Sequence, residues 1–126
     1  MSSEFRAPVD RSRAESVHDR PPADDVTDLL DPAQDLLGRK WLPVVVYHLA
    51  VDGSMGFSEL KRTIGGISSK MLSTSLDRLE QADVVERTVR KAKPVRVTYA
   101  LTPRGEALEP IIVAMVRWSR DGTRPA

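Results

Sequence analysis

The stretch 57–82, FSELKRTIGGISSKMLSTSLDRLEQA, constrains the fold more than any other part of the chain. It predicts a short helix from Ser58 to Ile64, a tight turn at Gly65-Gly66-Ile67, and a second helix from Ser68 to about Gln81. The two glycines tolerate positive φ and let the chain turn sharply between the helices. The fold must therefore accommodate a closely joined helix pair.

Ser68 starts the second helix, because its hydroxyl can accept a backbone N–H that has no partner in the first turn. Ile67 and Leu72 flank this cap at the spacing of a hydrophobic staple. Farther along the helix, apolar residues recur at helical spacing and form one stripe. This stripe comprises Leu72, Leu76, Leu79 and Ala82. One side of the helix is therefore expected to face a core.

The opposite side of this helix is small and hydrogen-bonding rather than acidic or alanine-rich. At about 100° per residue, it presents Lys70, Thr74, Asp77 and Gln81, with Ser69, Ser73 and Arg78 beside them. Such a face suits a helix that lies against a polar, anionic partner. Two helices joined by a short glycine-containing turn are the pattern of a DNA-reading helix-turn-helix. The alternative is a plain amphipathic helix pair with a solvated face, and this stretch alone does not separate the two.

Charge is divided unevenly along the 126 residues, although the formal net charge is only +1. Residues 1–35 carry four basic and nine acidic residues, a net of −5, whereas residues 36–126 carry 15 basic and nine acidic ones, a net of +6. A basic domain that follows an acidic tail in the sequence indicates a polyanionic partner.

Several functions are excluded or disfavoured by residue types and motifs that the sequence lacks. It has no cysteine, which excludes disulfides, thiolate metal sites and cysteine redox sensing. No apolar run approaches the ~18 residues of a membrane span, and the first residues lack the apolar core of a secretion signal. We therefore expect a cytoplasmic, nucleoid-associated protein. Because there is no histidine pair, phosphate-cradling glycine loop or triad order, we expect no enzyme activity, metal or cofactor.

Residues 1–26 are polar, contain three prolines and show almost no apolar periodicity, which predicts a disordered acidic tail. The folded domain is expected to cover residues 27–122. Asp31-Pro32 predicts the start of a short helix that ends at Leu37, with Gly38 as its stop.

The segment WLPVVVYHLAVDG predicts a buried helix of about 11 residues. Its β-branched run could also indicate a strand, but Pro43 fits the first turn of a helix, and the length favours a helix. Asp52-Gly53 closes it. His48 is expected to be structural, because no second histidine, cysteine or carboxylate cluster accompanies it.

Two strands with period-two alternation are predicted, from Val84 to Arg90 and from Val95 to Leu101. Five cations and no acid fall in the ten residues 87–96: Arg87, Arg90, Lys91, Lys93 and Arg96. One explanation is a charged edge that prevents strand-to-strand aggregation. Phosphate contact is favoured, because solubility does not require a single sign of charge.

A last helix is predicted from Pro103 to about Ser119, since Thr102 can cap it and Pro103 fits its first position. Its apolar residues form a band that is wide for a small domain: Leu108, Ile111, Ile112, Met115, Val116 and Trp118. The band is either core or a dimer surface.

Seven short stretches, in this order, resemble the HxlR-type family of winged-helix transcription regulators over about residues 27–120. They are GRKW at 38–41, FSEL at 57–60, GISSKML at 66–72, LDRLE at 76–80, PVRV at 94–97, YALTPRG at 99–105, and Trp118. Each stretch is short, but their order and spacing together are specific.

The resemblance implies a mostly helical fold with a small β-hairpin wing, in which additional N- and C-terminal helices form a homodimer. Each subunit would place one recognition helix in the major groove of duplex DNA and its wing on the backbone. Carried onto this chain, the recognition set is Ser68, Ser69, Lys70, Ser73, Thr74, Asp77 and Arg78, and the wing set is Arg90, Lys91, Lys93 and Arg96. The dimer set is Leu36, Leu108, Ile111, Ile112, Met115 and Trp118.

The chain departs from the family pattern in two places. Many relatives have a cysteine shortly before the first helix, which some use as a redox sensor, whereas this chain has none. Pro43 stands within the second helix and is expected to shift its start.

A winged-helix module that binds only proteins is the alternative function, and it predicts no salt-dependent affinity for DNA. No residue set defines a small-molecule effector site.

Overall fold

The computed structural model describes residues 23–91 and 93–122, and within them it is mostly helical with one two-stranded hairpin. The elements are α1 Ala23–Leu37, α2 Leu42–Asp52, α3 Phe57–Ile64, α4 Ser69–Gln81, β1 Val85–Arg90, β2 Arg96–Leu101, α5 Pro103–Glu106 and α6 Glu109–Gly122. The predicted winged helix-turn-helix architecture is confirmed. Among the described residues, none of the helices combines the length and the apolar character that a membrane span requires.

The described chain divides between Asp35 and Leu36 into two units. Most of α1 belongs to the first unit, and the second contains the hydrophobic core. Of the predicted tail, residues 1–22 lie outside the described residues.

Helix α2 is at the centre of the second unit, where it contacts α3, α4, α6 and β2. Its inward side chains are almost completely buried: Leu42, Val45, Val46 and Leu49. Pro43 lies in the first turn, where its missing N–H leaves no helical hydrogen bond unmade. The prediction of a buried 11-residue helix is therefore confirmed.

Strands β1 and β2 pair antiparallel, in a register that runs from Val85 opposite Leu101 to Arg90 opposite Arg96. Met55, between α2 and α3, adds a short bridge to β2. Its N–H donates to the carbonyl oxygen of Tyr99 at 3.0 Å, and its carbonyl accepts the Tyr99 N–H at 2.7 Å. The hairpin is thereby attached to the segment that leads into the helix pair.

The first helix is longer than predicted. The sequence predicts a start at Asp31-Pro32, whereas α1 begins at Ala23 and carries Pro32 in its interior. Apolar residues keep helical spacing on both sides of this proline, at Val26, Leu29, Ala33 and Leu36. The periodicity outweighs the single proline, and the last four residues of the predicted tail, 23–26, are helical.

The last predicted helix is divided into two. Helix α5 ends at Glu106 and α6 starts at Glu109. Pro110 explains the break, because it has no N–H for the Glu106 carbonyl and its ring crowds that carbonyl in a continuous helix. Helical bonding resumes past the proline, where the Ile112 N–H donates to the Leu108 carbonyl at 3.0 Å.

Candidate nucleic-acid interface

The turn between α3 and α4 has the predicted geometry. Gly65 and Gly66 have φ values of +70° and +71°, a region that residues with a Cβ rarely adopt. Ile67 and Leu72 are both buried in the core, and the Ser68 hydroxyl between them accepts the N–H of Met71 at 3.0 Å. The glycine turn, the cap and the staple predicted from the sequence are confirmed.

Helix α4 has one buried and one exposed side. Leu72, Leu76 and Leu79 are buried, and so is Ser75, whose burial the apolar pattern did not predict. Every residue of the predicted recognition set is exposed, together with Gln81. Met71, which is outside the predicted set, is also 43% exposed on this helix. At 100° per residue it lies beside Arg78, which is the signal that could have identified it.

The hairpin carries a like-charge pair that the sequence did not reveal. All four residues of the predicted wing set are exposed, and the register places Arg90 directly opposite Arg96. Like charges directly opposite on neighbouring strands destabilise the pair. Lys91 and Lys93 add two more cations, and no acidic residue occurs from 87 to 96. A bound anion would remove this electrostatic cost. Protection of a strand edge, in contrast, does not require two cations directly opposite each other.

Arg87 belongs to the other face of the hairpin. Side chains alternate between faces along a strand, and Arg87 precedes Arg90 by three positions, so the two point to opposite faces of β1. The pairing register places Tyr99 opposite Arg87. Arg87 is therefore an exposed cation of the same hairpin that has no like charge directly opposite it.

The predicted dimer set divides into two groups. Leu36 and Ile112 are buried in the core of the chain, and Leu108 packs against that core, so these three side chains stabilise the subunit itself. The other three are exposed on α6: Ile111 by 47%, Met115 by 39% and Trp118 by 78%. Val116, 46% exposed, adds to them, and an apolar groove of ≈ 500 Å³ between α2 and α6 adjoins Met115 and Val116. Of the predicted dimer set, Ile111, Met115 and Trp118 are thus the side chains available at the surface of the single chain.

His48 has contacts that fit a structural role. Its Nδ1 lies 3.9 Å from an oxygen of Asp52 one turn later on α2, and its ring meets Tyr47 edge-on at 5.4 Å between ring centres. Across the described residues, no group of three or more histidine or acidic side chains is arranged to hold a metal ion.

Comparisons with known proteins identify the family. The family model described as HxlR-like helix-turn-helix matches residues 36–125. The HTH-type transcriptional regulator YodB of Bacillus subtilis strain 168 is 38% identical over 96 residues, which cover 76% of this chain and 85% of that protein.

Solved structures agree with the sequence comparison. The reduced form of the transcriptional regulator YodB from B. subtilis has a similar structure, with a TM-score of 0.67 at 38% identity over 77% of this chain and 94% of that one. The redox regulator HypR in its oxidized form has a TM-score of 0.66 at 35% identity, with 75% and 95% covered. This chain belongs to the HxlR-like helix-turn-helix family and is a DNA-binding regulator of transcription with a winged-helix fold.

Proposed function

We propose that this regulator binds a specific, pseudo-palindromic operator as a homodimer, through a domain of residues 27–122, and that it resides with the chromosome. Helix α4 of each subunit enters the major groove, and the wing follows the adjacent backbone. In a two-fold dimer, the two α4 helices meet half-sites about 34 Å apart. The observation that carries the proposal is the opposed Arg90–Arg96 pair, in a hairpin that directly follows the exposed polar face of α4.

The exposed face of α4 contains side chains suited to reading base edges. Arg78 can make a bidentate contact with guanine, and Lys70 can donate to the same acceptors. Asp77 is exposed on this face, where its carboxylate would repel phosphates. A carboxylate is instead suited to accept a hydrogen bond from the amino group of cytosine. Ser73 and Thr74 can bond to either bases or phosphates.

The dimer is proposed from the exposed apolar side of α6. Three large apolar side chains share one side of this helix at helical spacing and are exposed: Ile111, Met115 and Trp118. A contiguous apolar patch on a small soluble domain marks an interaction surface. A second copy of the chain would cover this patch with the same patch, as a two-fold interface requires.

The alternative, a winged-helix module that binds only proteins, does not explain why two arginines of the wing are placed directly opposite each other. It requires no cluster of cations, and it predicts no salt-dependent affinity for duplex DNA. The salt dependence and sequence dependence of DNA affinity distinguish the two functions.

DNA binding is tested with an operator selected from random duplexes and a scrambled duplex of equal length, each titrated at several salt concentrations. Replacing Lys91 and Lys93 together by alanine should weaken binding to both duplexes about equally. The salt slope should flatten by about 0.9 for each phosphate that the variant no longer neutralises. Arg117→Ala, which removes an exposed cation of α6 outside both sets, serves as the control. An unchanged slope in the wing variant contradicts phosphate contact.

The dimer is tested separately by sedimentation. Met115→Asp combined with Trp118→Asp should give monomers, because both side chains are exposed in the single subunit and the changes leave its core intact. Val51→Asp, at a 57% exposed position on α2, is the matched control and should not change the association state. A double variant that still sediments as a dimer removes the outer side of α6 from the interface.

A further inference from the structure

The last turn of α4 ends in a Schellman arrangement. The Val84 N–H donates to the Leu79 carbonyl at 2.9 Å, and the Asp83 N–H donates to the Glu80 carbonyl at 3.0 Å. Asp83 has a φ of +61°, the left-handed conformation that this motif requires of its first residue beyond the helix. Leu79 and Val84 are both buried, as is usual for the apolar contact that accompanies the motif.

Three successive carbonyls of this turn each accept a hydrogen bond from the segment that follows β2. Arg104 Nε donates to the Ala82 oxygen at 3.1 Å, and the Thr102 hydroxyl donates to the Asp83 oxygen at 2.6 Å. The backbone N–H of Thr102 donates to the Val84 oxygen at 3.0 Å. The Thr102 hydroxyl also accepts the Gly105 N–H at 3.0 Å, so it caps α5 and bonds to the end of α4 with the same oxygen.

Gly105 lets the two backbones approach each other. A Cβ built on it would fall well inside contact distance of the Val84 carbonyl oxygen, 3.1 Å from the Val84 carbonyl carbon and 3.2 Å from Leu101 Cδ2. Two of these atoms are backbone and cannot move without displacing β1. We name the set of contacts made by Thr102, Arg104 and Gly105 to residues 82–84 the α4 clamp.

The α4 clamp joins the end of α4 to the base of the wing, because β1 begins at Val85 and β2 ends at Leu101. We propose that Thr102 and Arg104 are positioning residues for DNA recognition, which hold the wing at a fixed angle to α4. A fixed angle lets the wing contact phosphates while α4 contacts the base edges of one half-site. The inference rests on the proposed function and adds two residues to it that do not themselves contact DNA.

Substitutions at the two residues separate positioning from charge. Thr102→Val retains the shape of the side chain and removes its hydroxyl, whereas Thr102→Ser restores the hydroxyl. Arg104→Lys retains the positive charge and removes the Nε donor. Arg104→Lys should reduce the ratio of operator to scrambled-duplex affinity by about three- to tenfold, the value of one hydrogen bond. Thr102→Val removes two hydrogen bonds, to Asp83 and from Gly105, and should reduce the ratio by at least as much. Thr102→Ser should recover most of this ratio, and the salt slope should stay unchanged in all three variants.

A distance measurement tests the clamp without DNA. The chain has no cysteine, so Gln81→Cys and Lys91→Cys introduce spin labels on α4 and on the wing with no background thiols. Mixing with an excess of unlabelled chain leaves at most one labelled subunit in most dimers. Thr102→Val should broaden the distribution of distances between the labels. The distances are measured at a temperature at which thermal denaturation shows that the variant is folded.

Three outcomes of these binding, stability and distance measurements would change the proposed role of Thr102 and Arg104. If Thr102→Val lowers thermal stability but leaves both the affinity ratio and the distance distribution unchanged, the clamp is merely structural and the inference is overturned. If Arg104→Lys binds like the wild type while Arg104→Met flattens the salt slope, Arg104 is a phosphate contact instead. If selection yields no operator for the wild type, specific recognition itself fails, and the distance distribution still shows whether the clamp fixes the wing.

Discussion

Reversing one charge of the opposed pair should stabilise the protein and weaken its binding to DNA. In Arg96→Glu, the repulsion from Arg90 is replaced by attraction across the same pair of strands. Cross-strand charge pairs contribute roughly 0.2–1 kcal/mol each, and both side chains are exposed, so solvent screens them. Relief of the repulsion and gain of the attraction together should raise the free energy of unfolding by about 0.5–1 kcal/mol at low salt.

The assay is urea denaturation at low and at high salt, because the gain should fade as salt screens the pair. Arg90→Glu should give a similar gain, and the double variant, with two glutamates opposed, should lose it. Arg87→Glu is the control for the charge and strand propensity of glutamate, because Arg87 is paired with Tyr99 and not with a cation. Operator affinity should fall in both single variants and fall further in the double variant.

Two results would refute this reasoning. If the double variant is as stable as the better single variant, the opposed side chains do not interact. If Arg96→Glu gains stability but retains full operator affinity and the wild-type salt slope, the pair exists and contacts no phosphate.

Three further changes test how α4 is held. Gly105→Ala should lower the free energy of unfolding by about 2 kcal/mol or more, because a Cβ there overlaps the Val84 backbone. Urea denaturation of this variant near the wild-type midpoint would contradict that geometry. Asp83→Gly should raise stability by up to about 1 kcal/mol, because glycine adopts the φ of +61° without strain; a decrease measured by thermal denaturation would mean that the aspartate side chain has a role of its own. Ser68→Ala should cost about 1 kcal/mol because the cap to Met71 is removed, and Ser68→Thr should recover part of it.

The features that were predicted best from the sequence are those determined by interactions between residues a few positions apart. The cap at Ser68 and the two glycines of the turn depend on short-range spacing and appear where expected. The two strands also form, each beginning one residue later than predicted, although their burial does not alternate. The break before α6 also has a local cause in Pro110, but the apolar band continues through this proline and therefore predicts a single helix.

Other features depend on contacts between distant parts of the chain and were not predictable from one sequence. Ile112 and Ile111 are neighbours in one apolar band, yet only the packing of α6 against α2 decides that the first is buried and the second exposed. The opposition of Arg90 and Arg96 follows from the hairpin register, which the turn sequence did not define. The contact of Thr102 with Asp83 joins residues 19 positions apart, so no local pattern indicates it.

The central claim is that α4 and the wing contact the same half-site of one duplex. Its most direct test attaches a DNA-cleaving iron chelate to a single introduced cysteine, either Ser73→Cys on α4 or Lys91→Cys on the wing, in a chain that otherwise has none. Both conjugates should cut the selected operator, with Ser73→Cys cutting inside each half-site and Lys91→Cys cutting the backbone beside it. If the Lys91→Cys conjugate leaves the operator uncut while the Ser73→Cys conjugate cuts it, the wing does not contact DNA and the account is contradicted.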